Sequence, residues 1–202
     1  MNPLKSIPGT IISGFILAVI IAAVTQTTMG NPALSIMRWL HVLAGITWIG
    51  LLYYFNFVQV PAMALAAADP DGPGGAGISK YVAPLALLWF RWAALATWLF
   101  GAGYLAHNGD FMNAFTLGAM PGAGDPVYGL SIGIGAWLGT IMLFNVWVLI
   151  WPNQKKILGM VEASADEIAK GKTVALMASR TNTLLSIPML LSMIGATHGF
   201  FM

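Results

Sequence analysis

An all-α integral membrane protein, a bundle of five transmembrane helices, is the fold class this sequence predicts. Of its 202 residues 58% are hydrophobic and only 8% charged, too little polar surface to coat a soluble globule. The mean hydropathy of +0.78 agrees. Five apolar stretches are also long enough to cross a bilayer core, which takes about 20 helical residues at ~1.5 Å per residue.

The first stretch runs from Pro8 to Thr28. Its apolar part, Ile11 to Val24 behind Lys5, has the outline of a secretory h-region with small residues at Ala22-Ala23-Val24, but the flank is weakly basic and the segment reads as a span. The second stretch, Leu34 to Leu65, exceeds a bilayer's needs and predicts a tilted or protruding helix that ends near Pro61. Val82 to His107, Tyr128 to Trp151 and Thr173 to Phe201 follow. Asn31-Pro32, the run Asp69 to Gly75, Gly118 to Pro126 and Pro152-Asn153 punctuate them. Ala163 to Leu176 reads as a solvated loop, with an interfacial helix or an extension of the last span as alternatives. No internal repeat or long linker divides the chain, so 1–202 is expected to be a single transmembrane domain.

Orientation follows from the basic residues. Lys155, Lys156, Lys170, Lys172 and Arg180 gather around the loop before the last span, whereas the loop before the fourth holds Asp110 and Asp125. By the positive-inside rule the former is cytoplasmic, which puts the N-terminus inside and the C-terminus on the periplasmic side of a multi-pass protein of a bacterial inner membrane.

Several functions are argued against. The net charge of +2 is spread through loops rather than drawn into a basic stripe, so no nucleic-acid partner is expected. Cys is absent, which removes disulfides, thiolate metal sites and the C-x-x-C-H attachment of c-type haem. Phosphate-binding glycine loops, a G-x-S-x-G elbow and paired carboxylates within a span are all missing.

What remains is histidine chemistry. His41 lies inside a membrane-length apolar segment, where an ionisable ring is costly enough to mark a ligand, proton or cofactor site. His107 and His198 fall at the ends of the third and fifth spans, so all three belong to the same half of the membrane. Spans distant in sequence can bring such rings together around a metal or haem. Arg38, Gly45 and Trp48 share the helical face of His41. Around a haem b, His41 and His198 would ligate iron, with His107 the substitute for either. Gly45 would leave room for the macrocycle, Trp48 would pack on it, and Arg38 would pair with a propionate. Gly195 stands three residues before His198. A copper site using His41, His107, His198 and Asp110 is a further option. The plainer alternative is that His41 hydrogen-bonds a neighbouring helix while His107 and His198 are wetted interfacial side chains.

Other features read as structural. Gly129-x-x-x-Gly133 and Gly135-x-x-x-Gly139 fit close helix packing, and Asn145 needs an interhelical partner. Arg91 either snorkels to water or contacts a ligand. Trp39, Trp89, Trp92, Trp147 and Trp151 suit interfacial belts.

Trp39-Leu40-His41-Val42-Leu43-Ala44-Gly45-Ile46-Thr47-Trp48-Ile49-Gly50, Phe90-Arg91-Trp92 with Thr97 to Gly101, Asn145-Val146-Trp147 to Lys155, and Arg180 to Pro188 followed by His198 together resemble the membrane domain of bacterial urate hydroxylases, the urate oxidase N-terminal domain family. The His41 segment is also similar to the His-bearing helix of the membrane haem protein that oxidises protoporphyrinogen. The resemblance implies a membrane oxidoreductase module that passes electrons from a small substrate towards a cytochrome c. Family members commonly carry a C-terminal cytochrome c domain, which the Cys-free 202 residues lack, so it implies a separate cytochrome c as acceptor. The rival expectation is a non-catalytic accessory subunit packed against a larger respiratory or photosynthetic membrane complex.

Overall fold

The computed structural model describes residues 2–25 and 31–199, with helices and no strand among them. In chain order these are α1 (Ile7–Val24), α2 (Pro32–Ala68), α3 (Ile78–Asn108), the short α4 (Phe111–Phe115), α5 (Pro126–Ile157) and α6 (Ala165–His198). All but α4 are long and apolar enough to cross a membrane, so the all-α class and the five spans stand as the sequence predicts. The expected span limits Thr28 and Phe201 lie outside the described residues. The protein is a multi-pass one whose solvent is the lipid bilayer.

The chain forms two compact units, Met1–Ser35 and Ile36–Met202. In the first, the Ser6 side chain caps α1 by accepting from the Gly9 N–H at 3.2 Å. None of the residues of α1 is buried, and apolar side chains surround it on every side, as a lipid-facing helix requires.

The second unit has one core. Trp48, Leu52 and Phe55 of α2 meet Phe90 and Ala94 of α3, Met142 and Val146 of α5, and Ala178 and Met189 of α6. The buried positions of α6, from Gly171 through Ala175, Ala178, Asn182, Ser186, Met189 and Ser192 to Gly195, recur every three or four residues. That period lays one narrow, small-residue stripe against the neighbouring helices. The glycines of α5 serve two neighbours: Gly129 and Gly133 face Asn113 and Ala114 of α4, whereas a Cβ on Gly135 would come within 3.1 Å of Met193 in α6.

Polar pairs lock the helices where apolar packing alone sets no register. Asn182 is fully buried; its amide donates to the Met142 carbonyl at 2.9 Å and its Oδ1 accepts from Asn145 Nδ2 at 2.8 Å. Asn145 has the interhelical partner expected of it. Asn56 donates to Ser179 Oγ at 2.8 Å. The Tyr53 and Ser186 hydroxyls lie 2.9 Å apart, and because Ser186 gives its proton to the Thr183 carbonyl, Tyr53 is the donor. Trp98 of α3 donates to Thr140 of α5 at 2.9 Å.

Three helices widen by one turn. Tyr54–Gln59, Ile78–Val82 and Asn145–Ile150 are π-helical, each closed by a five-residue hydrogen bond, and each ends two residues before a proline: Pro61, Pro84 and Pro152. Proline brings no N–H and its ring crowds the carbonyl four residues back. A wider turn in front of it relieves that conflict without ending the helix. The expected stop near Pro61 is therefore corrected: α2 runs on to Ala68. The expected loop Ala163 to Leu176 is corrected too, because Ser164 and Glu167 form a reciprocal capping box that starts α6 at Ala165. A 3.0 Å ion pair from Lys156 to Glu167 reinforces that start.

The Asn182 clasp yields a prediction. Asn182→Ala leaves Asn145 Nδ2 and the Met142 carbonyl without this partner and should lower stability by about 1 kcal/mol, near the average for such bonds between membrane helices. Ser192→Ala, which removes a hydroxyl donating to the Ser131 carbonyl of α5, should cost less, because a helical carbonyl keeps its own backbone donor. Unfolding in mixed micelles with a graded denaturing detergent measures both.

Candidate functional site

His41 sits on the seam between α2 and α3. Its Nδ1 lies 2.7 Å from the carbonyl oxygen of Thr97. A carbonyl only accepts, so Nδ1 carries the proton, and in the neutral form of the ring the lone pair is on Nε2. The ring rests where α3 has no side chain: a Cβ at Gly101 would stand 2.8 Å from both Cε1 and Nδ1 of the imidazole. Gly101 thus makes the cradle and Thr97 fixes the tautomer.

The residues expected around His41 do share its face, and that face lies along α3. Arg38 donates to the Tyr104 hydroxyl at 2.5 Å, with its guanidinium carbon 5.0 Å from the ring centroid. Tyr128 of α5 is within electrostatic reach of Arg38, Tyr104 and Asp110, so charged and phenolic groups from α2, α3, α5 and the turn before α4 gather at this end of the seam. Gly45 lies beside Thr97, where a Cβ would make an ordinary 3.7 Å contact with the methyl group. Packing on α3 therefore does not require glycine at 45. Trp48 is buried in the core, and its indole N–H has no hydrogen-bond partner among the described residues.

His198 is the last residue of α6 and is exposed, following the outward-facing Leu191 and Ile194 along the helix. Its level can be compared with that of His41. The contacts Tyr53 to Ser186 and Asn56 to Ser179 run in opposite chain directions, so α2 and α6 are antiparallel. His41 precedes Tyr53 by 12 residues and His198 follows Ser186 by 12. At ~1.5 Å per residue both rings are about 18 Å from that contact on the same side of it. His107 lies six residues beyond Gly101, about 9 Å further along α3, and is exposed. Among the described residues no three of His, Asp and Glu come together as a metal would need, so the copper set of His41, His107, His198 and Asp110 is not assembled.

These features fall within a chain of detectable kinship. Residues 128–202 match the urate oxidase N-terminal family. The match takes in α5 and α6, with the Asn145 to Asn182 clasp, Pro188 and His198, and it points to a urate-hydroxylase-like membrane module. No curated protein and no solved structure matches the chain.

Sequence reasoning named Thr97 and Gly101 only within a family-like segment and Tyr104 not at all, and placed none of them at His41. Gly101 and Tyr104 lie one and two turns after Thr97, a helical stripe equivalent to that of Arg38, His41 and Gly45. Matching the two stripes is the signal that would have found them.

The cradle is open to test by paired substitutions. Gly101→Ala should push the imidazole off the Thr97 carbonyl and cost about 1–3 kcal/mol, the usual penalty of overpacking. Gly45→Ala should be neutral or slightly stabilising, since a helix gains roughly 0.8–1 kcal/mol from that exchange where space allows. Thermal unfolding gives the stabilities, and the nitrogen chemical shifts of the His41 ring report whether Nδ1 keeps its proton and its acceptor.

Proposed function

We propose that this protein is a haem b-binding electron-transfer module of urate-hydroxylase-like type, in a bacterial inner membrane with the Lys155 end cytoplasmic and the His41 end periplasmic. The observation that carries the proposal is the state of His41. A ring that gives its Nδ1 proton to a backbone carbonyl, and keeps Nε2 as a bare donor, has the orientation and tautomer found in metal-ligating histidines. What supports the group is a pair of imidazoles at matching levels on antiparallel helices in a chain without thiolates, the His198 ring lying on the outward face of α6. His41 and His198 would hold the iron, with His107 the substitute. Bound there, haem would supply one-electron chemistry between a reduced small substrate and a separate cytochrome c.

The chain's own residues do the positioning. Thr97 and Gly101 hold the His41 ring from turning, and the hydrogen bond to a carbonyl makes Nε2 more basic. Arg38 holds a positive charge at the mouth of the seam, suited to a haem propionate or an anionic substrate. The urate-related substrate class rests on the match over residues 128–202.

A visible spectrum of the purified protein decides. Sharp reduced α and Soret bands are expected, abolished in His41→Ala and in His198→Ala and retained in His107→Ala. A wild-type preparation that stays colourless when expressed with ample haem overturns the proposal. Loss of the bands in His107→Ala with retention in His198→Ala would reassign the second ligand.

A further inference from the structure

We infer that the seam between α3 and α5 holds one anionic phospholipid, its phosphate on Arg91 and Lys155 and an acyl chain along the apolar cleft beside them. Both cations address one indole. The Arg91 guanidinium carbon lies 3.8 Å from the centroid of the Trp151 ring, and Lys155 Nζ lies 6.0 Å from the same centroid. The hydrogen bond that Arg91 makes goes to the Leu87 carbonyl at 3.4 Å, one turn back, so its head reaches towards the Lys155 end of the molecule. The ion pair found among the described residues, Lys156 to Glu167, includes neither cation. Two positive charges lie against one indole within membrane-length helices, and neither is in an ion pair with a carboxylate among the described residues. Cation–π contact offsets part of that cost, and an anion from outside the chain removes the rest.

The surroundings say which anion. One turn from the cation pair, on the same seam, lies a largely apolar cleft of about 360 Å³, walled by Leu95, Trp98 and Leu99 of α3 and by Thr140, Leu143, Phe144 and Trp147 of α5. Leu95 stands one turn from Arg91, and Trp147 one turn from Trp151. Leu88 and Trp92, which flank Arg91 on α3, are exposed, so the site opens sideways to lipid. Trp151 lies six residues from the end of α5, about 9 Å, a depth at which a headgroup phosphate can meet it. A soluble phosphate would use the cations and leave the cleft unused. A phospholipid uses both.

The test is lipid retention by native mass spectrometry of the purified full chain, titrated with phosphatidylglycerol, phosphatidylcholine or inorganic phosphate. Phosphatidylglycerol should bind at least tenfold more tightly than phosphatidylcholine. Lys155→Gln and Arg91→Gln should each weaken it about fivefold, the effect of one basic charge near a lipid surface. Leu99→Trp, which fills the cleft and leaves the cations alone, should weaken it as well. Lys172→Gln, an exposed charge on α6, should leave it unchanged. Equal binding of the two lipids, an equal loss in Lys172→Gln, or inorganic phosphate displacing phosphatidylglycerol at millimolar concentration would overturn the assignment. Lys155 is at the helix surface, so its variant keeps the test valid even if Arg91→Gln fails to fold.

Discussion

Hydrocarbon offers a polar group no partner, and the second unit is arranged around that constraint. Apolar side chains gain nothing by leaving lipid for one another, so burial cannot choose a register as it does in water. The choice falls to the few groups that must be answered within the chain. Asn182 reaches two groups on α5, Asn56 and Tyr53 reach hydroxyls on α6, Trp98 reaches Thr140, and His41 reaches the Thr97 carbonyl. Each ties a pair of helices at one height, and together they set α2, α3, α5 and α6 in a single arrangement around the Trp48 core.

The same constraint explains how four interior prolines are carried in the membrane-length helices α2, α3, α5 and α6. A freed carbonyl in lipid is costly, so a break is a poor answer to Pro61 or Pro152, and a π turn keeps the backbone bonded through a five-residue ring. At Asn145–Ile150 the widened turn begins at the residue that clasps Asn182. Pro188 is accommodated within α6 without such a turn. It stands two residues past Ser186, between the polar contacts with α2 and the end that carries His198.

Much of this was legible in the sequence because membrane helices announce themselves by length and composition alone. The five spans, the close packing at Gly129 and Gly133 of α5 and the partner for Asn145 follow from counting apolar and small residues and asking where an amide can go. Helix ends were less legible. Pro61 reads as a terminator because single-sequence rules treat proline as a break, and the π turn that spares the helix leaves no composition of its own. Ser164-x-x-Glu167 did announce the start of α6, but its polar, charged flank looks like a loop when hydropathy is the guide. At the candidate site the face of α2 was readable from its period, whereas the identity of the facing helix was not. Nothing local in Thr97 or Gly101 says that their backbone will receive an imidazole from 56 residues away.

His41 and Arg91 show the two ways a membrane chain can carry an ionisable side chain. Histidine can become neutral, so one carbonyl is enough to satisfy its single N–H, and the ring enters the bundle with its other nitrogen free to act. Arginine stays charged, and a weak bond to Leu87 with the face of Trp151 covers its head without neutralising it. The first group is therefore satisfied internally. The second depends on an anion from outside the chain. Both sites border α3, which presents Thr97 and Gly101 to α2 on one side and Arg91, Leu95 and Trp98 to α5 on the other. One helix thus borders both the His41 contact with α2 and the Arg91 groove with α5.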